Sequence, residues 1–193
     1  MAKKKSPTTK KTKSKKSSSK KAKTDGWPNQ RNIFFRPERL KYVRKMVKTS
    51  GCVFCNSANK PESFETLCVY KSQHSQIVLN KYPYNNGHLL VLPLEHVGQI
   101  LELSPERYDD LHRTLRLAIQ AIQDIYAPNG MNIGMNHGAS GGAGIPEHLH
   151  YHIVPRWNGD LNFFPLIAGT KLVMESLDDT YARLTEYFSK IEE

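Results

Sequence analysis

Apolar and polar positions fall into short blocks from about residue 67 almost to the end of the chain. Leu67–Lys71, Gln76–Asn80 and His88–Pro93 are apolar runs separated by turn residues, and they predict three strands. Between the last two, Lys81-Tyr82-Pro83-Tyr84-Asn85-Asn86-Gly87 has the residues a hairpin connection needs. Ser104-Pro105-Glu106 then starts a helix, with a capping hydroxyl, a proline in the first turn and an early acid. Its apolar stripe is Leu111, Leu115, Ile119 and Ile122; it runs to about Tyr126, and Pro128-Asn129-Gly130 breaks it. Met131–Asn136 and Leu149–Pro155 predict two more strands. Leu177–Ile191 predicts a last helix with Leu184, Tyr187, Phe188 and Ile191 facing inward. Upstream, Pro37 opens a short amphipathic helix over residues 37–48, where Leu40, Val43 and Met46 recur at threefold spacing. There is no internal repeat. Strands, then a helix, then strands again imply an α+β fold with helices packed on one face of a sheet.

One strand carries more than packing. In His148-Leu149-His150-Tyr151-His152-Ile153-Val154-Pro155 the imidazoles alternate with apolar side chains. Residues two apart on a strand share a face roughly 6.6–6.8 Å from one another, so the three histidines line one side and Leu149, Tyr151 and Ile153 the other. Each imidazole has a polar nitrogen to satisfy, which makes a row of three poor core material. Gly141-Gly142-Ala143-Gly144, just upstream, lets backbone approach whatever lies over the strand. A plain histidine tract or a loose metal site is the alternative. On the chemical reading His150 is the nucleophile. A neutral imidazole attacks phosphorus well when its other nitrogen donates to a fixed acceptor such as a strand carbonyl. The flanking histidines then donate to phosphate oxygens as charge accumulates.

Charge and composition change this picture little. The formal net charge is +10, but residues 1–23 hold eleven lysines and no acid; the remainder carries 17 basic and 18 acidic residues, a balance of −1. Residues 1–26, rich in Lys, Ser and Thr, read as a disordered tail, residues 27–50 as a helical extension, and residues 51–193 as the folded domain. The tail is either a weak electrostatic tether to a polyanion such as nucleic acid or a solvated segment without a dedicated partner. No apolar run reaches the roughly 18 residues of a membrane span, and no apolar segment follows the N-terminal charges as in a secretory signal. Three cysteines do not make a disulfide scaffold. Cys52 and Cys55 have the CxxC spacing of a metal site or redox pair in a reducing compartment, and the expected location is cytoplasmic.

His148-Leu149-His150-Tyr151-His152-Ile153-Val154 resembles the signature of the histidine triad (HIT) family, and the likeness extends over about residues 51–190. Gly87-His88-Leu89-Leu90-Val91-Leu92-Pro93 looks like a second block of that family, and Asn136 precedes the glycine loop as a polar amide does there. Pro155-Arg156-Trp157-Asn158-Gly159-Asp160-Leu161-Asn162-Phe163 resembles the branch of bacterial diadenosine tetraphosphate phosphorylases and related nucleotidyltransferases. The resemblance implies a five-stranded antiparallel sheet with helices, assembled as a homodimer. It implies that His150 attacks the α-phosphate to form a nucleotidyl-imidazole, with His152 bonding phosphate and His88 positioning it. Asn80 would contact ribose, Asn136 the phosphate or leaving group, and Gly144 would line the phosphate site through backbone N–H groups. Ile145 is a departure, because hydrolase branches often carry Ser or Thr there.

Some relatives bind zinc through positions matching Cys52, Cys55, His96 and His148, so the resemblance implies a structural zinc and no organic cofactor. The alternative is two reduced cysteines at the sheet edge beside an exposed His96. Cys68 reads as strand packing. His74, His112 and His137 read as single surface or structural histidines, with His137 the nearest of these to a ligand. Trp157 and Phe163 read as core or as the border of a base pocket. The expected partner is a nucleotide, and the expected reaction is phosphorolysis of dinucleoside polyphosphates to ADP plus ATP. A hydrolase or nucleoside phosphoramidase would use the same triad. A nucleotide-sensing or nucleic-acid-associated binder is the reading from another class.

Overall fold

Leu67 has a positive φ of 57°, and this bend decides where the first strand can begin. In the computed structural model, which describes residues 51–160 and 174–191, β1 covers Cys68–Lys71, one residue later than the apolar run. It is followed by β2 (Ser75–Leu79), β3 (Leu89–Pro93), β4 (Gly130–Gly134) and β5 (Tyr151–Arg156). The helices are α1 (Val53–Ala58), α2 (Pro105–Tyr126) and α3 (Leu177–Ser189). All strand pairs are antiparallel, in the order β1-β2-β3-β5-β4. The fold is the predicted α+β class. The tail at 1–26, the extension at 27–50 with its helix at 37–48, and Phe163 lie outside the described residues.

The two faces of the sheet separate residues by parity. Val69, Ile77, Leu79, Leu89, Val91 and Ile153 point to one side, where Leu111, Ala118, Ala121 and Ile122 of α2 and Leu184 and Phe188 of α3 close the main core. Cys68, Val78, Leu90 and Leu92 point to the other, where Phe54 of α1 covers them. The expectation of helices on one face is therefore corrected: α2 and α3 share a face, and α1 lies on the opposite one. The sequence pattern missed α1 because one turn and a half is too short for an apolar stripe to repeat.

Capping follows the residue types. The Ser104 hydroxyl accepts from Arg107 N–H at the start of α2, with Pro105 at the first position. Ala127 closes the helix in the left-handed conformation. The stripe is wider than the predicted one: Leu111 and Ile122 are buried with Ala118 and Ala121, while Leu115 and Ile119 flank them. Small residues on the contact row let the helix sit close to the sheet. In α3, Leu184 and Phe188 are buried as predicted, but Ile191 lies beyond the helix end and is exposed.

Strand β5 starts at Tyr151, not Leu149, and Pro93 supplies the reason. The β3–β5 ladder ends at the Val91–Tyr151 pair because Pro93 has no N–H and its carbonyl is taken by the His148 ring. Leu149 N–H turns instead to the Val97 carbonyl, 2.7 Å away. His148, at a bend, and His150 thus lie on a lead-in to the strand, and only His152 sits in the ladder.

Candidate functional site

Phe54 shows that the lead-in keeps the histidines together. Its ring centroid lies 5.4 Å from that of His148 and 5.1 Å from that of His150, and the rings of His150 and His152 are 5.0 Å apart. Phe54 is held through its own backbone, since buried Gln76 donates its amide to the Phe54 carbonyl (3.1 Å) and accepts from Ser57 (3.2 Å). His152 is paired across the ladder with Leu90, which belongs to the same face.

The hydrogen-bond partners of each ring decide what it can do. His150 approaches the His148 carbonyl through Nδ1 at 2.8 Å. A carbonyl only accepts, so Nδ1 carries the hydrogen and Nε2 keeps its lone pair. Burial holds the His150 pKa below the ordinary histidine value, the carbonyl bond opposing it, so the ring is neutral at neutral pH. His150 is therefore a buried imidazole with an oriented basic nitrogen.

The neighbouring pair is set in the same way. Tyr84 N–H donates to His88 Nδ1 at 3.0 Å, which leaves the His88 hydrogen on Nε2. That nitrogen lies 3.0 Å from His152 Nδ1, and the direction follows: His88 donates, His152 accepts, and the His152 hydrogen is on Nε2. Tyr84 also lies nearly parallel to His152, at 10° with centroids 6.1 Å apart. The two-histidine chain thus presents an N–H donor beside a nucleophilic nitrogen, which is the division of roles that attack on phosphorus requires.

His148 uses the opposite nitrogen. It donates Nε2–H to the Pro93 carbonyl at 2.9 Å and turns Nδ1 toward Cys52 Sγ (3.5 Å) and Cys55 Sγ (3.6 Å). His96 Nδ1 is 3.2 Å from Cys55 Sγ, and donor atoms of all four residues lie within 4.8 Å of one another. A tetrahedral ion with bonds of roughly 2.3 Å to sulfur and 2.05 Å to nitrogen would separate S from N by about 3.6 Å. The two distances from His148 fit it, and the His96–Cys55 distance is shorter. Burial, then the neighbouring Cys52, raise the Cys55 thiol pKa, and a bound cation offsets both. The carbonyl bond on the far side of His148 fixes the ring orientation such a ligand needs.

The remaining predicted residues spread around this centre. The Asn80 amide nitrogen is 3.3 and 3.4 Å from the two His88 ring nitrogens, and its oxygen accepts from Tyr82 N–H at 2.9 Å. Asn80 also lines a cleft of about 270 Å³ with Lys81, His88, Ser176 and Thr180. Asn136 is exposed and donates to the Gly142 carbonyl at 3.5 Å, while Gly144 is exposed in the same loop. Gly141 is required there, because a Cβ would meet the His137 carbonyl at 2.4 Å. Ile145, at the departure from the hydroxyl pattern, packs against the cluster around Phe54.

His112 donates to the Tyr108 carbonyl (2.8 Å) and accepts from the Tyr151 hydroxyl (3.3 Å), a structural role. His74 pairs with Glu106 at the surface, and Trp157 meets the Tyr126 ring edge to face. Cys68 is buried in β1 as predicted, and burial pushes its thiol up to about 11. Phe54, Tyr84 and Pro93 are contributors that the sequence pattern did not single out. Pro93 acts through its carbonyl, which any residue type displays, and Tyr84 through its N–H, which any residue but proline displays, besides its ring contact with His152.

Residues 62–159 match the HIT domain. The chain belongs to the HIT family. This HIT protein is 41% identical over 116 residues to the AP-4-A phosphorylase of Mycobacterium tuberculosis (strain ATCC 25618 / H37Rv), covering 60% of each chain. It is 32% identical over 93 residues to the Bis(5'-nucleosyl)-tetraphosphatase [asymmetrical] of Schizosaccharomyces pombe, covering 48% of this chain and 50% of that one. The HIT protein thus spans about 60% and 50% of the lengths of these two curated relatives. A hypothetical histidine triad nucleotide-binding protein of Sulfolobus tokodaii superimposes with a TM-score of 0.58 at 28% identity, covering 73% of this chain and 94% of that one.

Proposed function

We propose that this HIT protein transfers a nucleotidyl group through His150, acting on dinucleoside polyphosphates with inorganic phosphate as acceptor. The observation that carries this reading is the Nδ1–H bond of His150 to the His148 carbonyl, which leaves a neutral Nε2 as nucleophile. In the first step Nε2 attacks the α-phosphorus of diadenosine tetraphosphate. The bond from that phosphorus to the bridging oxygen breaks, and ATP leaves. In the second, an oxygen of phosphate attacks the same phosphorus, the P–N bond breaks, ADP leaves and His150 is restored. His152 donates to the phosphoryl oxygens as they gain charge, with His88 behind it holding the tautomer. Likeness to the mycobacterial phosphorylase supports phosphate as acceptor.

Product analysis tests the reading. Enzyme, diadenosine tetraphosphate and phosphate are expected to give ADP plus ATP; AMP release independent of phosphate makes the protein a hydrolase. Ligand retention without products makes the site a sensor.

Four further parts belong to the reading. A structural zinc sits between Cys52, Cys55, His96 and His148, supported by the donor set and spacing; when bound it anchors the lead-in to β5 and takes no part in the transfer. A homodimer forms along β4, supported by its place at the sheet edge and by exposed Ile133. The lysines of residues 1–23 hold polyanions weakly, supported by charge alone. A reducing, cytoplasmic setting keeps both cysteines available as ligands. No described helix is long and apolar enough to cross a membrane.

A further inference from the structure

Asn85 sits three residues before His88, buried, in the loop between β2 and β3. Its side-chain amide donates to the Pro155 carbonyl at 2.7 Å and to the Asp160 carboxylate at 2.9 Å. The first bond continues a ladder that has run out. Strands β3 and β5 stop pairing at Leu89 and Ile153, and two residues further along β5 the Asn85 side chain takes the carbonyl that another strand residue would have taken. The second is held from the other side, because the same Asp160 oxygen accepts from Arg156 Nε at 2.8 Å and Trp157 N–H at 3.3 Å. The loop tip is thus clamped to the turn after the histidine strand.

The clamp reaches the histidines through backbone. Asn85 follows Tyr84, whose N–H donates to His88 Nδ1, and the Asn85 carbonyl accepts from His88 N–H at 3.2 Å. A displacement of this loop would move the donor that places the His88 hydrogen on Nε2. Without that donor the Nε2–H tautomer of His88 loses the shorter of its two contacts at Nδ1, the Asn80 amide at 3.3 Å being the longer, and the competing tautomer points a lone pair at the lone pair of His152 Nδ1.

We infer that Asn85, backed by Asp160, is a positioning residue: it holds Tyr84 N–H on His88 and so sets the tautomers of His88 and His152. The inference rests on the proposed role of the triad for its kinetic consequence, but the tautomers themselves do not depend on any substrate. His152 then faces the phosphoryl group as a donor because of a side chain in a different loop. A loss of register of about 1 Å at such a site can cost on the order of 100-fold in rate.

The test is nitrogen-15 NMR of the imidazoles in the full-length protein, paired with kinetics. In the wild type both His88 and His152 are expected to show protonated Nε2 and unprotonated Nδ1. In Asn85→Ala the His88 and His152 signals are expected to shift toward mixed tautomers, His150 retaining its own, with kcat on diadenosine tetraphosphate lowered about 10- to 100-fold and KM changed less than about threefold. Asn85→Asp, which keeps the shape but loses the donor and faces Asp160, is expected to behave the same way and serves if the alanine variant fails to fold. Unchanged tautomers in a folded variant overturn the inference. If the wild type turns over no dinucleotide, the proposed function fails, while the tautomer comparison still decides this one.

Discussion

The two faces of the sheet are built from the same strands to different rules. Toward α2 and α3 the face is mainly apolar, with Ile77, Leu89, Val91 and Ile153 fully buried on it and buried Ser75 at the start of β2 a polar exception. Toward α1 the apolar residues end at Leu90 and Leu92, and the imidazoles of His148, His150 and His152 follow. Full burial of an apolar side chain contributes about 1.5–3 kcal/mol, so the first face holds the fold. A buried imidazole contributes nothing comparable and must have its nitrogens satisfied. The second face meets that cost with the carbonyls of Pro93 and His148, and the same bonds choose the reactive nitrogens. Stability and chemistry are divided by residue parity along β5 and its lead-in.

Substitutions on β5 and its lead-in can break that division. The largest effect is expected for His150→Ala: turnover of diadenosine tetraphosphate falls by about 10⁴-fold or more, with nucleotide affinity within about tenfold. Its stability loss stays near ~1–2 kcal/mol, for the unsatisfied carbonyl it leaves. Initial rates and thermal melts together measure this, and wild-type-like turnover would end the mechanism. Ile153→Ala, one residue from His152 but facing the other way, is expected to lose about 2–5 kcal/mol in urea unfolding. The folded fraction should still turn over substrate within about tenfold; a loss as deep as that of His150→Ala would show the faces are not separable.

Metal removal sharpens the comparison further. Protein purified without chelator is expected to carry about one zinc per chain, and Cys55→Ser to carry less than a tenth. Chelation should lower the melting temperature by about 4 °C or more, since a ligand of the native state alone stabilises it. Less than a tenth of an equivalent in the wild type would remove the metal from this reading. The smallest effect is expected at Ser104→Ala, remote from both faces, where loss of the cap on α2 costs about 1 kcal/mol with kcat unchanged. A change in kcat there would mean that α2 reports to the site.

Much of the fold was legible because the apolar blocks are strong. Five strand segments and the two long helices were placed within about two residues of their observed ends, since burial follows the period of two or 3.6. The remaining shifts have local causes. Leu67 bends at positive φ, so β1 begins late, and Pro93 cannot extend the ladder, so β5 begins after His150. The short α1 has too few residues to show a period. All four predicted stripe residues of α2 meet the core, but the stripe omitted buried Ala118 and Ala121, which hydrophobic patterning weights lightly.

By itself the sequence predicted from alternation which histidines share a side, although only His152 proved to lie in the strand, and it marked Cys52, Cys55, His96 and His148 as candidates for one cluster. It also carried the signature that places the chain in the HIT family. Only the tertiary structure decided which nitrogen each ring presents. An imidazole's tautomer is set by its hydrogen-bond partner, and those partners are backbone groups brought from elsewhere: Pro93 for His148, Tyr84 for His88, and the His148 carbonyl, through the local bend, for His150. Backbone carbonyls and N–H groups are the same at every residue but proline, so no reading of side chains along the chain could have placed them.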